Sequence, residues 1–253
     1  METTDFIDER IEDGIATITL QRGKVNAINE AMVNCLRGRL ESLANDAAAR
    51  TVILTGHGKF FSFGLDIPEL FDYSQAAFAL FLQKFTDLYT QLFVFPKPVI
   101  AAINGHAIAG GCMLASACDY RLMVTGKARI SLNEITFGSS VFAGSVEMLK
   151  HCVGAANAER ILLSGAMYSA EEACRLGLIS QVVSEADLQS EAKKTAANMT
   201  ATYANAFRSI KLLLRGPVAE MMRTREAESI RNFVTIWYSE ETRAAVKGIQ
   251  IHS

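Results

Sequence analysis

Two runs, Thr51-Val52-Ile53-Leu54-Thr55 and Val99-Ile100-Ala101-Ala102-Ile103, constrain the fold more than any other feature of the chain. Neither alternates apolar with polar residues, so each predicts a strand covered on both faces, the pattern of a parallel sheet. Parallel neighbours need a crossover of a dozen or more residues, normally a helix. The chain supplies one between the runs, an amphipathic stretch from Ser74 to Phe95 that stops at Pro96 and Pro98. Another helix precedes the first run, capped by Asn29, with Met32, Leu36, Leu40 and Leu43 at helical spacing. A hairpin turning at Asp13-Gly14 opens the chain. Strand, helix, strand is the order of an α/β protein.

Further strands are predicted at Tyr120 to Val124 and Ala128 to Leu132, and a mostly helical half begins near Gly144. Within it Ser169 and Glu172 form a capping box, and Gly177 stops a helix before the strand-like LISQVV. From Glu185 onward only helices are expected, with Gly216-Pro217 as the clearest break and a final helix from about Ala219 to Lys247. This divides the chain into a core over residues 1–184 and a helical region over 185–253. Phe233, Ile236, Trp237 and Tyr238 give that region a large apolar surface, which either covers the chain's own core or packs on another subunit.

At 253 residues the chain suffices for one large domain, or for a core with a smaller terminal subdomain. A formal charge of -2, without long like-charge runs, gives no reason to expect nucleic acid. The five cysteines (Cys35, Cys112, Cys118, Cys152, Cys174) are odd in number, lack a C-x-x-C pair and sit in apolar stretches, which predicts reduced core thiols. No metal-ligand spacing is present, so no metal is expected. The acidic start METTDFIDERIEDG lacks an apolar segment and predicts a cytoplasmic protein. Asn104, Gly105, His106, Gly110, Gly111 and Asp119 interrupt the apolar stretch from Val99 to Val124, which reads as strand, turn and helix rather than a membrane span.

Two loops share one physical character: each leaves a buried strand, passes a glycine and enters a helix. They are Lys59-Phe60-Phe61-Ser62-Phe63-Gly64-Leu65-Asp66-Ile67 and Asn104-Gly105-His106-Ala107-Ile108-Ala109-Gly110-Gly111-Cys112. Gly64 permits a backbone geometry that points the Leu65 N–H into a cleft. Gly110 opens a helix whose unpaired N–H groups suit a developing oxyanion. His106 is expected to satisfy local backbone groups, and Ser62, Ser139, Ser140 and Ser145 have no partnered histidine at a recognisable spacing.

KVNAIN, KFFSFGLDIPEL, PVIAAINGHAIAGGCMLASACDYRLM and RISLNEITFG resemble, in order and spacing, the crotonase superfamily, also called the enoyl-CoA hydratase/isomerase family. LSGAMYSAEEACRLGLISQVV resembles its next segment, so the likeness covers nearly the whole chain. The resemblance implies a spiral of ββα turns with C-terminal helices that pack homotrimers, often paired into homohexamers. It implies an acyl-CoA thioester as substrate, no separate cofactor, and oxyanion donors at the N–H groups of Leu65 and Gly110. Coenzyme A is then expected along the backbone of Lys24, Val25 and Ala27 and beside Leu65, Asp66 and Ile67, with Lys59 near its nucleotide end.

Hydratases of this family resemble one another in having two glutamates. Here the first position holds Met113, which cannot move a proton, and the second holds Glu134. One base and two oxyanion donors suffice to take a proton from C2 of a 3-enoyl thioester and return it at C4, so the pattern is similar to Δ3,Δ2-enoyl-CoA isomerases. GSSVFAGS, which includes Phe142 as an acyl-pocket candidate, departs from them. A hydratase, another acyl-CoA reaction, and a non-catalytic CoA-binding subunit are the alternatives.

Overall fold

The computed structural model describes residues 6–201 and 203–249. An antiparallel hairpin of β1 (Ile7–Glu12) and β2 (Ile15–Leu20) opens it, turning at Asp13-Gly14 as predicted. Helix α1 (Glu30–Asn45) follows. The Asn29 side chain accepts from the Met32 N–H at 3.0 Å, and Met32, Leu36, Leu40 and Leu43 are buried.

Three successive turns of chain then each place one strand in each of two sheets. The first carries β3 (Thr51–Gly56) and β4 (Phe60–Ser62), then α2 (Ile67–Leu70) and α3 (Gln75–Phe93). The second carries β5 (Val99–Ile103) and β6 (His106–Ile108), then α4 (Gly110–Ala117). The third carries β7 (Tyr120–Val124) and β8 (Ile130–Ser131), then a 3₁₀ turn at Glu134–Phe137 and α5 (Ala143–Val153). The larger sheet runs β1-β2-β3-β5-β7-β9, with β9 at Gln181–Val183, and the smaller runs β4-β6-β8. Every pairing between these strands after the hairpin is parallel. The result is the expected α/β spiral of ββα turns.

Both glycine loops thus contain short strands, β4 and β6, and β8 shares their sheet rather than continuing the series of β7. Elements of two or three residues are too short for hydrophobic periodicity to reveal.

The remaining helices are α6 (Ala155–Ser164), α7 (Ala170–Arg175), α8 (Leu188–Thr200), α9 (Ala204–Trp237) and α10 (Glu240–Val246). The Ser169–Glu172 capping box starts α7, as predicted. The predicted break at Gly216-Pro217 does not occur, because α9 runs through Pro217 for 34 residues and ends instead before α10. Pro217 lacks the N–H that would bond the Leu213 carbonyl, and Leu213 is 75% exposed, so water can take that acceptor. Buried anchors hold the helix on both sides of the proline. Arg215 donates to the carbonyls of Phe93 and Ala117, each at 2.9 Å, and Ala219 and Met222 are buried beyond it.

Of the two readings of the apolar tail, Phe233 and Trp237 cover the chain's own core, packing against Phe142 and Phe78. All five cysteines are free. Only Cys112 and Cys118 are fully buried, so core burial holds for two and half-burial for Cys35, Cys152 and Cys174. Among the described residues no helix is long and apolar enough to cross a membrane.

Candidate active site

The loop from Lys24 to Asn29 is stitched to the first glycine loop by main-chain bonds. Phe63 N–H donates to Val25 O at 3.0 Å, Ile28 N–H to Gly64 O at 2.7 Å, and Asp66 N–H to Ile28 O at 2.9 Å. In an extended segment successive N–H groups point to opposite sides. Ile28 therefore occupies one edge of residues 64–66 and leaves the Leu65 N–H on the other, without a protein acceptor among the described residues. Ser62 fixes the loop from beneath, donating to Asn26 O at 2.8 Å and accepting from Gly64 N–H at 3.2 Å.

The second loop meets the first backbone to backbone. Gly64 has φ +95, and a Cβ there would lie 2.9 Å from Ile108 O and 3.0 Å from the nitrogen of Gly110. Any side chain at residue 64 forces the loops apart. Gly110 is the first residue of α4, so its N–H has no acceptor within the helix. Ala109, just before it, holds φ 48 and ψ -117, a strained backbone for a residue with a Cβ. Its N–H is tied to Ser131 O at 2.8 Å, which anchors the loop that presents Gly110.

Leu65, Gly110 and Glu134 line one cavity of about 200 Å³. Glu134 begins the 3₁₀ turn after β8 and is only 5% exposed, and its Oε2 has no hydrogen-bond partner among the described residues. Burial pushes its pKa up from 4.5 to about 8, the direction expected when a carboxylate loses water without gaining a cation. Ile67, Met113 and Phe142 line the same space. Met113 is buried one turn into α4 from Gly110.

Lys24, Val25, Ala27, Lys59 and Asp66 lie outside that lining. Lys24 and Lys59 are exposed, and Val25 and Ala27 pack against Phe60 and Phe63 at its margin. The Asp66 carboxylate is fully buried, where it pairs with Arg22 and accepts from Glu69 N–H at 3.2 Å, so it serves the loop rather than the cavity. His106 rests its ring against Phe60, with centroids 5.1 Å apart, in place of the backbone contacts expected of it. The Cys112 thiol is wholly buried and its pKa is pushed up by that burial.

Sequence reasoning missed the far wall, where Phe85 comes from α3 and Phe233 and Trp237 from the end of α9. Their helical spacing marked them as apolar, but nothing local showed which cavity they reach. It also missed Glu226. This buried carboxylate on α9 accepts from the Tyr89 hydroxyl at 3.0 Å and the Gly144 N–H at 2.8 Å, next to Ser229, which bonds the Ala143 N–H at 3.0 Å. Phe142, the cap residue of α5, has no capping side chain, and α9 supplies the caps from outside.

Stacked ββα turns with a helical tail folded back over the cavity define a crotonase-type fold. The model of the enoyl-CoA hydratase/isomerase family matches residues 10–252. Enoyl-CoA delta isomerase 1, mitochondrial, of Mus musculus is 32% identical over 225 residues, covering 88% of this chain and 78% of its own length. The 2,3-dehydroadipyl-CoA hydratase of Escherichia coli (strain K12) is 36% identical over 170 residues, covering 66% and 65%. The crystal structure of human mitochondrial delta3-delta2-enoyl-CoA isomerase superposes with a TM-score of 0.92 at 29% identity, over 96% of each chain. The chain belongs to the enoyl-CoA hydratase/isomerase family, whose members act on acyl-CoA thioesters.

Proposed function

We propose that the protein is a Δ3,Δ2-enoyl-CoA isomerase in which Glu134 shuttles one proton. The observation that carries this reading is that Glu134 is the one ionisable side chain lining the cavity, among the described residues. The Glu134 carboxylate takes the C2 proton of a 3-enoyl thioester. The electron pair moves into the C1–C2 bond and charge collects on the thioester oxygen. There the N–H groups of Leu65 and Gly110 stabilise it, each worth roughly a hundredfold in rate at comparable sites. The same carboxyl returns the proton at C4, leaving the double bond between C2 and C3, so no group is gained or lost and no cofactor is required. Hydration asks in addition for a positioned water and a second acid, and methionine at residue 113 offers neither.

Coenzyme A would lie along the backbone of Lys24, Val25 and Ala27 and past Leu65 and Ile67, with Asp66 contributing main chain alone and Lys59 near the phosphates. Offering the purified protein a 3-enoyl-CoA and, separately, a trans-2-enoyl-CoA tests the assignment. Conversion of the first to the conjugated thioester without hydration of the second is the expected result. Efficient hydration of the second defeats it.

Copies of the chain are further proposed to assemble as a homotrimer or homohexamer. Ile210, Leu213, Leu214, Pro217 and Met221 form an exposed apolar stripe at helical spacing on α9. Light scattering that returns a monomer at micromolar concentration rules this out.

A further inference from the structure

Six buried side-chain oxygen or nitrogen atoms have no hydrogen-bond partner among the described residues, and four belong to residues lining the Glu134 cavity: Asn133 Oδ1, Glu134 Oε2, Ser139 Oγ and Trp237 Nε1. Buried polar groups are almost always paired, so such a concentration in one place calls for a missing partner. Glu134 is accounted for by the proton shuttle. Asn133, Ser139 and Trp237 are not. Ser139 is 7% exposed and Trp237 2%, so neither is served by bulk water. The main chain holds Ser139 beside Glu134, its N–H donating to Glu134 O at 3.0 Å. Trp237 is wedged against Phe78 and Phe233, with ring centroids 5.1 and 6.1 Å away.

A cavity for a plain hydrocarbon chain has no use for these groups, since an alkyl tail leaves a buried indole N–H and a hydroxyl unpaired. Resting on the acyl-CoA reading above, we infer that the acyl group this protein takes carries an oxygen function beyond the thioester, which accepts hydrogen bonds from the Trp237 N–H and the Ser139 hydroxyl. An indole N–H only donates, so the substrate atom must be an acceptor, as in a ketone, ether or hydroxyl oxygen. Among the described residues no lysine, arginine or histidine lines the cavity, which disfavours a carboxylate.

Titration calorimetry with saturated thioesters tests this without calling on the double-bond shift. The probes are hexanoyl-CoA, 4-oxohexanoyl-CoA and 5-oxohexanoyl-CoA, against the wild type, Trp237→Phe and Ser139→Ala. At least one oxo isomer is expected to bind the wild type about tenfold or more tightly than hexanoyl-CoA, and each substitution to remove most of that preference. Hexanoyl-CoA binding as tightly as both oxo isomers overturns the inference and leaves the acyl-CoA reading standing. A preference that survives both substitutions overturns the assignment to these residues. Failure of all three thioesters to bind overturns the inference together with the reading it rests on.

Discussion

Replacing Glu134 with glutamine should abolish turnover and at the same time stabilise the protein, by an amount that grows with pH. Glutamine keeps the shape of the side chain and removes its titration. In the folded wild type burial holds the Glu134 pKa at about 8, against 4.5 for the ordinary carboxyl. Below about pH 4.5 the group is protonated in both states and costs nothing. Between 4.5 and about 8 the unfolded chain ionises while the folded one keeps its proton, so the unfolded state binds fewer protons and wild-type stability falls as pH rises. At about 1.4 kcal/mol per pH unit over roughly 3.5 units, the full difference approaches about 5 kcal/mol and levels off above pH 8.

Urea unfolding of both proteins at pH 4, 5, 6, 7, 8 and 9, at matched protein concentration and ionic strength, measures this directly. All other titrating groups are shared and cancel in the difference. The glutamine variant should gain steadily on the wild type across the window and stay ahead above it. A difference that does not change with pH would refute the burial argument, whatever the variant does to activity. In the proposed mechanism the same ionisation governs the chemistry. At pH 7 roughly one molecule in ten carries the carboxylate base, so kcat/KM for the wild type should climb with pH to a midpoint near 8.

Ala109→Gly relieves the backbone at φ 48 and should raise stability by about 1 kcal/mol in urea unfolding; a loss of stability would show that the Ala109 methyl group contributes more than its strain costs. Met113→Glu adds a second carboxyl facing the cavity and should bring hydration of a trans-2-enoyl-CoA at least about a hundredfold above the wild-type background. Hydration staying at that background would show that more than residue 113 separates the two reactions. Glu226→Ala strips the acceptor from the Tyr89 hydroxyl and the Gly144 N–H and should cost about 2–4 kcal/mol of stability. Denaturant midpoints unchanged by it would deny the α9 caps a role in holding α5.

The alternation of doubly apolar strands with amphipathic helices was legible in the residues because burial on both faces and helical spacing are local patterns. Asn29, Ser169 and the Asp13-Gly14 turn carried their own signals for the same reason. The pair of glycine loops carried a local signal as well, whereas Glu134 was singled out through the family resemblance. What local pattern could not supply were decisions made across the chain. Pro217 stays helical because Arg215 reaches the carbonyls of Phe93 and Ala117. The Leu65 N–H is left unpaired because Ile28 takes the other edge of its segment. Glu134 is buried, with its pKa raised by that burial, at a cavity that Phe233 and Trp237 of α9 help to wall. A residue's type limits which bonds it can form. Only packing determines which of them it must go without, and both the proposed proton shuttle and the unpaired groups around it depend on what is withheld.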